Sequence, residues 1–247
     1  EAYFKDHDTA IIPVGSIENH GSHLCLGTDY LIPSHIAETL DREVDAVLLP
    51  AVPYGIADHH FGFPGTISLG YDGLRLVMER ITQCLYNYGV RKFIFLNGHG
   101  GNDPALLDVG LGLEDKGALT ALINWWQLAG QLEPAWAGGH GGGEETAAIL
   151  AINRDWVHME DYMPLEPQDL SPELPVSAVR TVRFQGADIT VQRHFQSVTP
   201  SGWYGPDDPK DATAEWGREM LDRVTRYIVD FIRAFSKVDA TQGGRRG

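Results

Sequence analysis

The sequence predicts an α/β fold in which helices cover a mostly parallel central sheet. Two observations support this prediction. Short apolar runs alternate with longer segments of helical periodicity, and the runs are apolar throughout, as in strands that are buried on both faces. The length of 247 residues, without an evident linker, favours one domain, which we expect over residues 1–240, followed by a disordered tail over 241–247.

Four apolar runs are the predicted strands of the sheet: Ala10–Val14, Ala46–Leu49, Phe93–Leu96 and Leu119–Ile123. Apolar residues spaced three and four apart predict the helices: Tyr30–Leu40, Gly73–Tyr88, Pro104–Glu114, Glu144–Ile152 and Ala212–Phe235. Ala178–Phe184 and Ile189–His194 are a predicted strand pair with a turn at Gly186. Four prolines and many acidic residues over Asp161–Pro175 predict a surface loop.

The composition excludes several classes of partner. A formal charge of −15 without a basic stripe argues against nucleic acid, and it is compatible with simple solubility or with attraction of metal cations. No apolar run approaches the ~20 residues that span a bilayer, and no signal peptide is visible, so we expect a cytoplasmic protein without a membrane partner. Cys25 and Cys84 are too few for a disulfide framework, although they could form one bridge.

Histidines, acids and glycines follow the predicted strands directly. In open α/β sheets, ligands bind beyond the carboxyl ends of the strands, so these segments should meet at one edge. The first strand is followed by GSIENHGSHLCLGTD, in which Glu18 and His20 lie two residues apart and Asp29 precedes a helix. One such residue would suggest only a solvated loop, but three within twelve residues favour a site.

Two further glycine-rich segments add candidate ligands. NGHGGN places His99 after the third strand, and it lacks the patterns of a phosphate-binding loop. GGHGGGEET offers His140, Glu144 and Glu145, where Glu144 is well explained as an acid at a helix N-terminus. The charges of such a site can be counted. The three carboxylates of Glu18, Asp29 and Glu145, together with two neutral imidazoles, would leave a pair of divalent cations with one net positive charge, which a bridging hydroxide neutralises. Nitrogen and oxygen ligands suit Zn, Mn or Fe.

The same segments resemble the creatininase family. The matching stretches are PVGSIENHGSHLCLGTD at 13–29, FGFPGTISL at 61–69, LNGHGGN at 96–102, HGGGEET at 140–146 and SGWYGPDDPKDATAEWG at 201–217. The resemblance implies a three-layer α/β/α sandwich, a homo-oligomer, commonly a hexamer, and a hydrolase that cleaves a carbon–nitrogen bond of a small molecule.

The resemblance also implies roles for individual residues. One metal ion would be held by Glu18, Asp29 and His99, and the other by His20, Asp29 and Glu145, with Asp29 bridging. His140 matches the catalytic histidine that handles the proton for the leaving nitrogen. Candidate substrate-binding residues are Trp136, Trp125, Trp126 and His60, with His59 beside the last.

Two positions depart from creatininase itself. Gly101 stands where that enzyme has a glutamate ligand, and Gly139 replaces an acidic residue before the catalytic histidine. Both differences weigh against creatinine as the substrate. The alternatives are a hydrolase of cyclic polyol-derived ketones, a metal-binding protein without catalysis, and a nucleotide-binding oxidoreductase. The last requires a glycine fingerprint after the first strand, where GSIENHG stands instead.

Overall fold

A four-stranded parallel sheet forms the centre of the computed structural model, which describes residues 3–240. Its strands are β1 (Thr9–Val14), β2 (Val47–Leu48), β3 (Lys92–Asn97) and β4 (Leu119–Asn124), in the order β2-β1-β3-β4. All four predicted strands are present, and β2 is shorter than predicted. The predicted tail at 241–247 lies outside the described residues.

Six α-helices accompany the sheet: α1 (Thr28–Leu40), α2 (Gly70–Tyr88), α3 (Asp103–Glu114), α4 (Trp125–Leu132), α5 (Gly143–Ile152) and α6 (Ala214–Phe235). Five of them match predicted helices. The periodicity did not predict α4, because this helix has only eight residues and begins directly where β4 ends.

The sheet separates two apolar cores, which confirms the three-layer α/β/α sandwich. Ile11 and Ile94 point towards a core built from α1, α4, α5 and α6. Their neighbours Ile12 and Phe95 point to the opposite face, where α2 and α3 pack. Successive side chains of a strand alternate between faces. Strands covered on both sides must therefore be apolar in their central positions, as β1 is over Ala10–Val14 and β3 is over Phe93–Leu96.

A small antiparallel sheet lies outside this sandwich, and here the prediction is partly wrong. Its strands are β5 (Val176–Ala178), β6 (Thr181–Phe184) and β7 (Ala187–Thr190). The turn at Gly186 is present, and Gln185 and Gly186 both have positive φ, as a two-residue hairpin turn requires. The predicted strand Ala178–Phe184, however, is interrupted by a turn at 179–180.

The strand order creates a natural binding position. The chain passes from β1 outwards to β2 and then returns across β1 to β3, so the connections diverge between β1 and β3. Ligands bind at such a switch point, beyond the carboxyl ends of the strands.

Among residues 3–240, none of the helices has the length and apolarity needed to cross a bilayer. Cys25 and Cys84 are both free thiols.

Candidate metal site

The predicted ligands converge at the carboxyl edge of the sheet. Val14, Asn97 and Asn124 are the last residues of β1, β3 and β4, and they lie side by side in register. The loops that leave these strands therefore start next to one another. Glu18, His20, Asp29, His99 and Glu145 are all buried in this region, with relative exposures of 0–8%.

Asp29 lies at the centre of the cluster. It occupies the first turn of α1, where the helix dipole favours a carboxylate. Its Oδ1 lies 2.9 Å from Nε2 of His20, and its Oδ2 lies 3.1 Å from Nδ1 of His99. This approach depends on Gly98, because a Cβ there would lie 1.9 Å from the carbonyl oxygen of Asp29. Each oxygen of Asp29 thus faces a different imidazole.

The tautomers of His20 and His99 follow from the hydrogen bonds made by the ring nitrogens that do not face Asp29. Nδ1 of His20 donates to the carbonyl oxygen of Glu18 at 3.0 Å. Nε2 of His99 donates to the carbonyl oxygen of Ile56 at 2.9 Å. A neutral imidazole has one N–H, so the nitrogen that faces Asp29 carries a lone pair in each ring. A lone pair and a carboxylate oxygen repel each other unless a proton or a cation lies between them.

Glu18 repeats this arrangement. Its Oε2 accepts a hydrogen bond from Ser16 at 2.7 Å, which orients the carboxylate. Its Oε1 lies 3.1 Å from Nδ1 of His99 and 3.3 Å from Nε2 of His60. Oε1 of Glu18 and Oδ2 of Asp29 are buried without a hydrogen-bond donor. Buried carboxylate oxygens without a partner are costly, so positive charge beside these atoms, from a metal ion or from a protonated imidazole, would stabilise them.

Glu145 and His140 complete the cluster from the other side. The chain turns at Gly141, whose φ is 64°, and its N–H donates to Oε2 of Glu145 at 2.7 Å. That oxygen lies 3.6 Å from Nε2 of His20. Nε2 of His140 donates to the carbonyl oxygen of Asn19 at 2.6 Å, which leaves Nδ1 facing Glu18 at 3.7 Å.

The donor set fits divalent metal ions. Glu18, Asp29 and His99 form one group whose ligand atoms lie within 4.8 Å of one another, and His20, His140 and Glu145 form another. A third group contains Glu18, His60 and His140. Carboxylate oxygens and imidazole nitrogens suit Zn and Mn. The unpartnered oxygens and facing lone pairs described above are what such ions would satisfy.

The acid–base properties of the cluster reflect the same demand for positive charge. Burial lowers the pKa of His20, but the carboxylates of Asp29 and Glu145 outweigh it and raise the pKa to about 10. Burial raises the pKa of Asp29, yet His20 and His99 together lower it to about 2. Burial raises the pKa of Glu145 to about 7 against the opposing effect of His20.

A cavity of about 190 Å³ opens onto the cluster. Among the predicted substrate-binding residues, His60 and Trp126 line it, as do His59 and His140. Trp125 and Trp136 instead pack in the apolar core on the α1 side of the sheet. Arg223 lies over the ring of Trp136, 5.4 Å from its centroid. The placement of these two tryptophans favours core packing, and their role in binding a substrate stays a prediction.

Sequence reasoning missed two contributors to the site, Arg180 and Asn102, and did not predict the burial of a third, Glu144. Glu144 is only 2% exposed and lines the cavity, although it was interpreted as an acid at a helix N-terminus. Burial, with Glu145 and Asp207 nearby, raises its pKa well above the ordinary value. Arg180 lines the cavity from the turn that was predicted as continuous strand. No sequence signal indicated that Arg180 would lie there. Asn102, in the NGHGGN segment, could have been suspected from its place beside His99.

Asn102 connects the loops that carry the ligands. Its Oδ1 accepts from the backbone N–H of Ile56 at 2.9 Å. Its amide donates to the carbonyl oxygen of Gly15 and to the side chain of Asn97, both at 3.1 Å. Asn102 therefore holds the end of β1, the end of β3 and the Ile56 segment together, and Ile56 in turn orients His99.

Comparison with known proteins identifies relatives over almost the whole chain. A family model described as "Creatininase: Creatinine amidohydrolase" matches residues 1–232. A "Mycofactocin precursor peptide peptidase" of Mycolicibacterium smegmatis is 30% identical over 232 residues, which cover 90% of this chain and 83% of the relative. A "Creatinine amidohydrolase" of Pseudomonas putida is 27% identical over 195 residues, which cover 69% of this chain and 75% of the relative.

Solved structures share the same fold. One described as "Creatininase Mn" superposes with a TM-score of 0.75 at 24% identity, covering 96% of this chain and 95% of that one. A zinc form of a mutant creatininase superposes with a TM-score of 0.73 at 23% identity, covering 95% of this chain and 92% of that one. At these identities, the superpositions establish the arrangement of the backbone.

Proposed function

The chain belongs to the creatininase (creatinine amidohydrolase) family, and from this premise we propose that it is a metal-dependent hydrolase of a carbon–nitrogen bond in a small molecule. An amidohydrolase and a peptidase, the activities named for two of its relatives, both break such a bond. The type of bond is therefore common to relatives that act on different substrates.

One observation carries this proposal: around Asp29, imidazole nitrogens that carry lone pairs face carboxylate oxygens. Nε2 of His20 and Nδ1 of His99 approach different oxygens of the same carboxylate, at 2.9 and 3.1 Å. These distances support two cation positions that would share Asp29 as a common ligand. Glu18 would hold the first ion with His99, and Glu145 would hold the second with His20, a pair that also lies within reach of His140.

A pair of divalent cations in such a site supplies an activated water and a Lewis acid for the substrate's carbonyl oxygen. The chain's own residues supply the rest. Hydrogen bonds to the backbone carbonyls of Glu18 and Ile56 orient His20 and His99, and second partners of this kind strengthen metal ligands. Ser16 orients the Glu18 carboxylate in the same way.

His140 is the proposed carrier of the proton to the leaving nitrogen. Its Nε2–H is held by the carbonyl oxygen of Asn19, so Nδ1 is the atom that can accept and release a proton beside the cluster. The backbone N–H of Tyr204 donates to the carbonyl oxygen of His140 at 2.8 Å, which anchors this residue to the segment 201–217. His60 and Trp126 border the space left for a small substrate.

Elemental analysis combined with a substrate panel tests the proposal. Purified protein, reconstituted with Zn²⁺ or Mn²⁺, should contain about two ions per chain, as expected of a two-metal hydrolase. It should hydrolyse at least one of the cyclic amides, formamides or short peptides in the panel, with a new carboxylate and a new amino group formed at the cleaved bond. Asp29→Asn should lose both the ions and the hydrolysis, because a neutral amide replaces the shared carboxylate.

Asp222→Asn is the matched control, since Asp222 is an exposed aspartate on α6 far along the chain from the cluster. It should leave metal content and hydrolysis unchanged. Equal metal content in the Asp29 and Asp222 variants would contradict the shared-ligand arrangement. Turnover of cyclic ketones without turnover of amides would favour the carbon–carbon hydrolase. Bound metal without turnover of any class would favour a metal-binding protein without catalysis.

A further inference from the structure

Arg180 is the one lysine or arginine that lines the candidate cavity within residues 3–240. The carboxylates that line it are Asp29, Glu144 and Glu145, and its other ionisable groups are histidines. Among the described residues of the lining, Arg180 is therefore the one side chain whose positive charge depends on neither a bound metal ion nor the protonation of a histidine. A guanidinium in this position favours the binding of an anionic group.

The Arg180 side chain makes no hydrogen bond or ion pair with the other residues that the structure describes, unlike the arginines closest to it in sequence. Arg183 pairs with Asp188 at 2.9 Å and donates to the carbonyl oxygen of Gly186 at 3.1 Å. Arg193 donates to the carbonyl oxygen of Gln168 at 2.8 Å. The five donors of a guanidinium ordinarily find acceptors in the protein or in water. Those of Arg180 are available to a ligand.

The backbone that carries Arg180 is nevertheless held in place. The carbonyl oxygen of Arg180 accepts from the N–H of Val191 at 2.9 Å, which joins the turn to the end of β7. The hydroxyls of Ser177 and Thr181, on either side of the turn, lie 2.8 Å apart and form a hydrogen bond. The fixed backbone reduces the entropy that is lost when a ligand binds, and the ordering of the Arg180 side chain is the part of that cost that remains.

We propose that Arg180 binds an anionic group of the substrate, a carboxylate or a phosphate, and that the substrate is an amide carrying such a group near its scissile bond. This inference rests on the proposed function. Planar guanidinium donors match the oxygens of either group in pairs, whereas a lysine would supply only a point charge. A cavity of about 190 Å³ is below the range that drug-sized ligands occupy, so it suits a small amide acid.

Binding of three sulfonamide probes tests the proposal, because a sulfonamide mimics an amide but resists hydrolysis. The probes are N-methylsulfonylglycine, its phosphonate counterpart and the neutral N-methylsulfonylglycinamide. Calorimetry on the metal-loaded protein should show that one of the acids binds about 10- to 100-fold more tightly than the neutral amide. Preference for the carboxylate or the phosphonate identifies which anion the site accepts.

Variants then assign the preference to Arg180. Arg180→Met should remove the preferred acid's advantage and leave binding of the neutral amide unchanged. Arg180→Lys should retain part of it, because charge remains without the planar pair of donors. Arg183→Met is the matched control, since Arg183 lies on β6 outside the cavity lining, and it should behave like wild type. Circular dichroism verifies that each variant is folded.

Three results would overturn the inference: equal binding of acids and amide by wild type, an acid preference that survives in Arg180→Met, or no binding of any probe. The readout is binding rather than turnover, so it separates this inference from the proposed function. A protein that hydrolyses no amide can still show the acid preference, and an active amidohydrolase can lack it.

Discussion

Nε2 of His99 donates a hydrogen bond to the carbonyl oxygen of Ile56, 43 residues earlier in the chain, at 2.9 Å. This bond leaves Nδ1 of His99 to face the oxygens of Glu18 and Asp29. The orientation of a candidate metal ligand therefore depends on the backbone of a segment in the crossover between β2 and β3. Asn102 holds that segment in turn, through the N–H of Ile56.

Asn102→Ala should weaken metal binding without removing a ligand. Loss of the side chain leaves the N–H of Ile56 and the carbonyl oxygen of Gly15 without their partner. We expect metal affinity to fall by about 10- to 100-fold, as for other residues that orient ligands. The free energy of unfolding should fall by about 1–3 kcal/mol. Competition with a fluorescent chelator and urea titration measure the two effects.

Asn87→Ala is the control for this variant, because Asn87 is exposed on α2 and, among residues 3–240, its side chain is bonded to Gln83 alone, from which it accepts. It should retain wild-type metal affinity. If Asn102→Ala lost stability but kept its metal affinity, Asn102 would be important for folding alone, and the proposed chain of orientation from Asn102 through Ile56 to His99 would be incorrect.

His140→Ala tests whether His140 carries the proton or binds a metal ion. If His140 transfers the proton, hydrolysis should fall by about 10²–10⁴-fold while the metal content stays at the wild-type value. His140 also lies within two of the three candidate ligand groups, so a parallel loss of metal would assign it to the ions instead. His158→Ala, an exposed histidine, is the control and should leave both quantities unchanged.

Gly217→Ala should destabilise the contact between α5 and α6. A Cβ at Gly217 would lie 1.9 Å from the carbonyl oxygen of Ala147. The helices must therefore separate, at a cost of about 1–3 kcal/mol. Because α5 carries Glu145, metal affinity should fall as well.

Gly112→Ala on α3 is the control, because a Cβ there meets no atom within 4 Å, and it should be neutral or stabilising by about 0.5–1 kcal/mol. Equal effects of the two substitutions on thermal unfolding would contradict this explanation.

His23 should make the protein less stable at mildly acidic pH. Burial, helped by nearby His20, lowers its pKa from the ordinary 6.5 to about 4, against the opposing effects of the hydrogen bond to Gly141 and of Asp208. Between these values the unfolded chain binds more protons than the folded chain, so stability falls as the pH decreases from 6.5 towards 4. The full contribution of the shift is on the order of 3 kcal/mol.

His23→Gln provides the comparison, because an amide can still donate to the carbonyl oxygen of Gly141 but does not titrate. Urea titrations of both proteins, prepared metal-free in the same way, should show a shallower loss of stability in the variant between pH 6.5 and 4. Parallel curves for the two proteins in this interval would show that His23 does not cause the acid sensitivity.

Much of the architecture could be predicted from local patterns. Continuous apolar runs identified β1 and β3, since strands covered on both faces need apolar side chains at every position. The ligands of the first loop were also predictable, because polar residues at a strand end lie at the edge where ligands bind. His140 and Glu145 required the family resemblance as well as the glycine-rich pattern around them.

Only the tertiary structure decided which polar groups became partners. The periodicity of one segment reports the burial of that segment and carries no information about what another segment, often more than a hundred residues away, presents to it. For this reason the sequence could not show that Trp136 packs in the core, that Glu144 is buried beside Glu145, or that the turn at Arg180 reaches the cavity. These placements depend on how α5 and the small antiparallel sheet pack against the edge of the central sheet.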